Sequence, residues 1–408
     1  MKAFDFLKKK QKTSVKTNTE PVLPHNEYYE RVSEKLGILQ VVLYLSLLAF
    51  VVLSFLGNTD MITYEKFYYF VKDLNASAET VDVWNTDSVS YPTDDVQSFT
   101  LYREGLAVAG KSNVTVFTAT GRLTVSKTVT YTNPVAVGDG KYLLVYDHGG
   151  RQYSLYNSYT QIHAGETEYP ISGAAVSPNG SYALTTSSAD YTSVVSLYDS
   201  NFSILNRYKK NGYVMDVAIN SKGDTVSLVT SSVKEGQFQT ELMICRAQET
   251  TALATLKIAD SLALSCTFTE NDIVQILCSG GTYTYTENGQ LVNSQDFLGD
   301  TVTCFAESEE GYAVVLKTAG TSEKKQTLVL DSRGNVMYNG QATKQIDAVS
   351  RYDSTVYLQT AYGILRLDAD SGSYEEQLCN TEQKYLLAVN DDEFLLCSPK
   401  KATYMSFD

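Results

Sequence analysis

The sequence predicts an all-β protein: a β-propeller of eight four-stranded blades, with seven as the alternative count, preceded by one N-terminal transmembrane helix. Three observations predict it. A run of 24 residues between Lys35 and Asp60 carries no charge. Beyond it, short apolar runs alternate with tight polar turns, and no long helical period appears. These strand–turn–strand units recur about every 41 residues, the spacing of four-stranded propeller blades.

The uncharged run, LGILQVVLYLSLLAFVVLSFLGNT, would reach about 36 Å as a helix, against a hydrocarbon core of about 30 Å. It has no polar stripe, as a helix packed in a soluble core would have. A cleaved signal peptide has a shorter apolar core and small residues at the cut, whereas this run ends Phe55-Leu56-Gly57-Asn58. Residues 36–58 are therefore read as a membrane anchor in contact with the lipid bilayer. Residues 1–35 hold eight basic and five acidic side chains, including Lys8-Lys9-Lys10. The basic flank predicts a cytoplasmic tail and an extracytoplasmic body. Residues 11–26, polar and with two prolines, make that tail a disordered one.

Residues 60–77 begin DMITYEKFYYFVKDLN, with Phe67, Phe70, Val71 and Leu74 at helical spacing. This stretch reads as a short juxtamembrane aromatic helix. Residues 78–408 form the propeller.

Its turns carry the repeat. Val176-Ser177-Pro178-Asn179-Gly180, Ile219-Asn220-Ser221-Lys222-Gly223 and Val137-Gly138-Asp139-Gly140 each join two apolar runs. Asn-Gly and related pairs tolerate the positive φ of tight hairpins. A second kind of turn follows in each unit, as in YTYTENG (283–289), LVLDSRG (328–334) and LRLDADSG (365–372). Together they place unit starts at Val96, Asn133, Ile171, Val214, Ser261, Thr301, Gln345 and Lys384. The last unit has room for three strands, and the alternating TVDVW at 80–84 is the candidate fourth, closing the ring.

SPNGSYALTTSSADYTSVVSLYDS (177–200) resembles a blade of the WD-repeat, YVTN or quinoprotein type. The layout of basic tail, one helix, TYEKFYYFVKDL and propeller is similar to a family of Gram-positive bacterial proteins catalogued as a domain of unknown function. The resemblance spans nearly the whole chain. It implies an architecture and brings no reaction or ligand with it.

Composition narrows the function classes. Net charge is -14, and beyond residue 35 the chain holds 25 basic against 42 acidic side chains. An acidic body repels nucleic acid, so no nucleic-acid partner is expected. The six cysteines (Cys245, Cys266, Cys278, Cys304, Cys379, Cys397) include no C-x-x-C pair. They read as small buried hydrophobes. Cys266 and Cys304 occupy matching positions in SCTF and TCFA, which raises a disulfide between adjacent units. His148 beside Gly149-Gly150 reads as a loop residue. Asp368-Ala369-Asp370-Ser371-Gly372 has its glycine one place early for a calcium loop and reads as an Asx turn. No tryptophan follows Trp84, which removes the boxes of sialidase-like and quinoprotein propellers. No catalytic, cofactor-binding or metal residue is named, and no cofactor is expected. These readings converge on a non-catalytic, membrane-tethered scaffold of the bacterial cell envelope whose partner is another envelope protein. The alternatives are a glycan- or small-molecule-binding propeller, with its 30 tyrosines clustered at one mouth of the ring, and a propeller hydrolase or oxidoreductase.

Overall fold

Alternation sets the strands, and in the computed structural model it sets eight blades. Residues 36–37, 40–45, 47–48 and 87–407 are described, apart from 104, 158–159, 250, 270–271, 321–324, 343 and 382–384. The chain divides into two units, Met1–Phe70 and Val71–Asp408. In the first, the described residues of 36–58 are helical and expose their large apolar side chains, Leu36 and Val41 to Leu45 among them. Among the described residues no helix is long and apolar enough to cross a membrane. The rest of 36–58, the tail 1–35, the aromatic stretch 60–77 and the candidate strand 80–84 lie outside the described residues.

In the second unit, 32 described strands form eight antiparallel sheets of four. The innermost strands are Gln97–Tyr102, Pro134–Asp139, Ile171–Val176, Tyr213–Ile219, Ala263–Thr269, Thr301–Ser308, Ala348–Tyr352 and Tyr385–Ala388. We number the blades 1 to 8 in that order. Each innermost strand neighbours the next, and that of blade 8 neighbours that of blade 1, so the ring closes. The closing strand is Ser88–Ser90, antiparallel to Lys401–Ser406 with Val89 opposite Ala402. Blade 8 therefore takes its outer strand from the start of the propeller and three from its end.

The core is eight layers between blades. Leu106 and Val108 face blade 8 while Ala107 and Ala109 face blade 2. The same split recurs at Leu144 against Leu143 and Val145, and at Ala313 against Val314. Second strands are buried on both faces, which is why they read as unbroken apolar runs such as YLLVY and YAVVL.

The turns are as read. Gly180, Gly223, Gly289 and Gly334 have φ of 92°, 71°, 79° and 77°. Gly223 is needed twice over, because a Cβ there would lie 2.0 Å from Nδ2 of Asn179 in the preceding blade. Asp368 caps its own turn: its carboxylate accepts from the Asp370 N–H (3.0 Å) and the Ser371 hydroxyl (2.6 Å).

The Cys266–Cys304 pairing is overturned. Cys266 and Cys304 are both free thiols. Both innermost strands carry a one-residue bulge, between Ala263 and Ser265 and between Val302 and Cys304. Aligned on the bulge, Cys304 corresponds to Ser265. A one-residue shift moves a side chain to the opposite face of the sheet. Cys266 thus packs towards blade 4 and Cys304 towards blade 7.

Candidate functional site

The inner edge of each innermost strand has no partner strand in its own sheet, so its backbone groups need other partners. Side chains of the preceding blade supply some of them. The Ala136 N–H donates to Ser98 Oγ (3.1 Å) and the Ala388 N–H to Ser350 Oγ (2.8 Å). Between blades 4 and 5 the same role falls to a carboxylate: the Cys266 N–H donates to Asp216 Oδ2 (2.9 Å), and the Val217 N–H to Asp216 Oδ1 (2.8 Å).

Asp216 lines a cavity of about 630 Å³ in the central channel, walled by the innermost strands of blades 2 to 6. Glu307 of blade 6 approaches from the other side of blade 5. It accepts from the Ser265 hydroxyl, which in turn accepts from the fully buried Tyr312 hydroxyl (3.1 Å). One serine thus stands beside two carboxyl groups, and its single proton serves one of them. Enclosure by the channel wall pushes Glu307 up to about 7, and the nearby Asp216 charge pushes the same way. Asp216 rises to about 6, again chiefly by burial, with its two backbone donors opposing. Asp139, at the same end of the channel, is pushed up to about 7 by burial and then by Glu309. The one cation among the described lining residues is Lys222, and it pairs with Asp272. The channel is therefore a solvent-reaching chamber with carboxyl groups that hold protons near neutral pH. None of these residues was singled out from the sequence as part of a site; Asp139 and Lys222 appeared there only as turn residues. The available signal was a charge inside an otherwise apolar inner strand, as in VMDVAI and CFAES.

The two ends of the ring differ. One end carries the turns between first and second strands and between third and fourth; Ser88–Ser90 begins there. Three of its carboxylates are spent on the turns: Asp199, Asp331 and Asp368 each accept from backbone N–H groups just downstream. Among the exposed apolar residues at this end, Leu123, Ile204, Leu291, Val336 and Tyr374 open an outer strand and belong to the repeat, while Tyr352 closes the innermost strand of blade 7.

The opposite end carries the hairpins between second and third strands and the links between blades. The five most exposed large apolar side chains of the described propeller lie there: Leu298 (86 %), Tyr362, Leu378, Tyr213 and Val233. Apart from Tyr213, whose counterpart Tyr385 opens the innermost strand of blade 8, they do not recur from blade to blade. Blade 4 is the extreme case. Its middle strands, Thr225–Lys234 and Gln237–Arg246, have ten residues each, against five to seven elsewhere. The extra length projects as a hairpin. Its tip, Glu235-Gly236, has positive φ at both positions, the two-residue turn that matches strand twist. Val233 and Phe238 stand opposite each other near the tip, exposed, on the same sheet face as Tyr213.

His148 bridges to Ile171 at the edge of blade 2, and His163 stacks on Phe202 (4.3 Å), so neither lines the channel. Among the described residues, tyrosines do not gather at a channel mouth. Many, such as Tyr156, Tyr182, Tyr312 and Tyr357, are fully buried between blades, and the exposed ones scatter over both ends.

A family model described as a family of unknown function (DUF5711) matches residues 78–406, and the chain belongs to that family. No curated protein matches the sequence. Among solved structures, Sqt1 of Saccharomyces cerevisiae is similar at 11% identity and a TM-score of 0.57, over 79% of this chain and 98% of that one. BamB from Moraxella catarrhalis is similar at 11% identity and 0.53, over 79% and 99%. Sqt1 of Chaetomium thermophilum, solved bound to the N-terminus of ribosomal protein L10, is similar at 11% identity and 0.52, over 80% and 100%. At such identities the likeness establishes the propeller fold alone.

Proposed function

We propose that this chain is a non-catalytic scaffold of the bacterial cell envelope, tethered by 36–58, whose extracytoplasmic propeller holds another envelope protein on its hairpin end. One observation carries the reading: the most exposed apolar side chains collect at that end and break the repeat. Side chains that the fold does not require there cost solubility unless a partner covers them. An exposed aromatic such as Phe238 on a projecting hairpin suits protein contact, since it buries much area and loses little freedom. The Chaetomium Sqt1 propeller, of the same fold, is bound to a protein segment, which accords with a protein partner here. The uncharged run 36–58 and the basic flank before it support the tether and its orientation.

The test is recovery of partners by the full-length chain from its native membrane in mild detergent. Wild type is compared with Val233→Ser/Phe238→Ser and with a control, Leu291→Ser/Val336→Ser, at the other end. A partner held by wild type and the control but lost by the hairpin variant supports the reading. Recovery that the hairpin variant leaves intact, or no specific partner at all, rejects it.

A further inference from the structure

Between blades 2 and 3, on the flank of the ring and away from the channel, lies a groove of about 590 Å³. That volume is within the 300–1,000 Å³ of small-molecule sites. Its wall is the face of blade 3 turned towards blade 2, and its rim is the link around Glu166 and Glu168.

We infer that this groove binds a neutral saccharide, held by Tyr191 and Tyr198 as stacking surfaces and by Arg207 with the facing carboxylates as hydrogen-bonding groups. The inference is independent of the scaffold reading, which concerns the hairpin end.

Arg207 is the first reason. It stands opposite Ser196 on the outer strand of blade 3, one pair inward from the bulge region. Five other blades have the same bulge, and their counterparts are Ser126, Ala164, Thr255, Ser294 and Asn339. The blade architecture is satisfied there by small or neutral side chains, so the arginine answers to something else. It forms no ion pair among the described residues, although Glu166, Glu168 and Asp190 line the same groove. Glu166 and Glu168 come from the rim, and Asp190 from the blade 3 hairpin, so the groove offers both donors and acceptors to a ligand with both kinds of group.

The tyrosines are the second reason. Tyr198 lies flat on Tyr182, with centroids 4.6 Å apart and planes 1° from parallel, and Tyr182 is fully buried. What remains of Tyr198 lines the groove on a fixed base. Tyr191 is held in a tight turn: its N–H donates to Ser188 Oγ (2.9 Å), and Lys209 sits over its ring at 5.2 Å. Rigid aromatic surfaces lose little entropy when a ligand arrives.

The mixture selects the ligand class. Three carboxylates against two cations disfavour an anion. No exposed large aliphatic side chain lines the groove apart from Ile204 at its edge, which disfavours a peptide anchor. Carboxylates accept from adjacent hydroxyls, arginine and lysine donate to hydroxyl and ring oxygens, and tyrosine covers a C–H face.

The test uses the full-length chain in detergent on an array of neutral, N-acetylamino and acidic oligosaccharides, followed by calorimetric titration of those retained. Wild type is expected to bind neutral or N-acetylamino members. Arg207→Ser, the residue type that the repeat uses, and Tyr191→Ala should each weaken binding at least about tenfold, with the thermal transition unmoved. Arg207→Lys, which keeps charge and loses the planar fork, should fall between. Retention of no oligosaccharide, retention of acidic members only, or affinity indifferent to Arg207→Ser and Tyr191→Ala overturns the inference.

Discussion

Replacing Glu307 by Gln should stabilise the propeller above neutral pH and leave it unchanged in acid. Glu307 rises from its ordinary 4.5 to about 7 and Asp216 from 3.8 to about 6, in both cases mainly because the surrounding channel wall limits their hydration. Between pH 4 and 7 the folded chain thus holds more protons than the unfolded chain. Stability must then fall as pH rises through that window. Moving a titration by one pH unit on folding costs about 1.4 kcal/mol for an isolated, dry group. These two share one neighbourhood and reach channel solvent, so screening cuts the figure for the pair to about 2 kcal/mol by pH 8. Glutamine keeps an oxygen for the Ser265 hydroxyl and removes the charge that opposes Asp216. Thermal unfolding of wild type and Glu307→Gln at pH 4.5, 6, 7 and 8 measures the difference. Wild type should lose ground steadily above pH 5, and the variant should lose less, with Asp216 and Asp139 still titrating. At pH 8 the variant should melt about 2 °C higher. Parallel pH profiles, or a variant less stable at pH 8, would refute the claim that Glu307 is held against its preference for ionisation.

Gly223→Ala should destabilise by about 1–2 kcal/mol, seen as a lower denaturation midpoint, because φ is 71° and the new methyl group meets Asn179. Thiol titration of the native chain should label Cys304 and Cys379 first. Cys245, Cys266, Cys278 and Cys397 are buried and should react only on unfolding, with the Cys278 thiol pushed up to about 12 by burial.

Blade order was legible because each blade repeats one local grammar. The expected starts at Val96, Asn133, Ile171 and Thr301 lie within a residue of the observed Gln97, Pro134, Ile171 and Thr301. Ser261 and Gln345 fall two and three residues early, where links between blades carry no turn signal of their own. The count of eight follows from the same spacing. What spacing does not carry is which face a residue takes after a bulge, and Cys266 with Cys304 failed on that point. Nor does it carry meetings across blades. Asp216, Ser265 and Glu307 sit on three strands in three successive repeats, and only the packing of neighbouring blades brings them together. Arg207 was hidden differently: a basic residue in an outer strand reads as an ordinary solvated face until its counterparts are aligned by register.

The departures from the repeat are therefore where function should be sought, and the channel shows why. Ser98 and Ser350 join neighbouring blades through a neutral hydroxyl, at little desolvation cost. Asp216 performs the same join with a group that must give up water and then face Glu307. Were joining blades its whole task, serine would suffice and the like-charged pair would be a defect. A propeller that keeps such a pair beside a chamber of about 630 Å³ retains a chemically distinct interior. The hairpin of blade 4 and the groove of blade 3 break the pattern on the outside. The regular blades hold these three places in fixed relation around one ring.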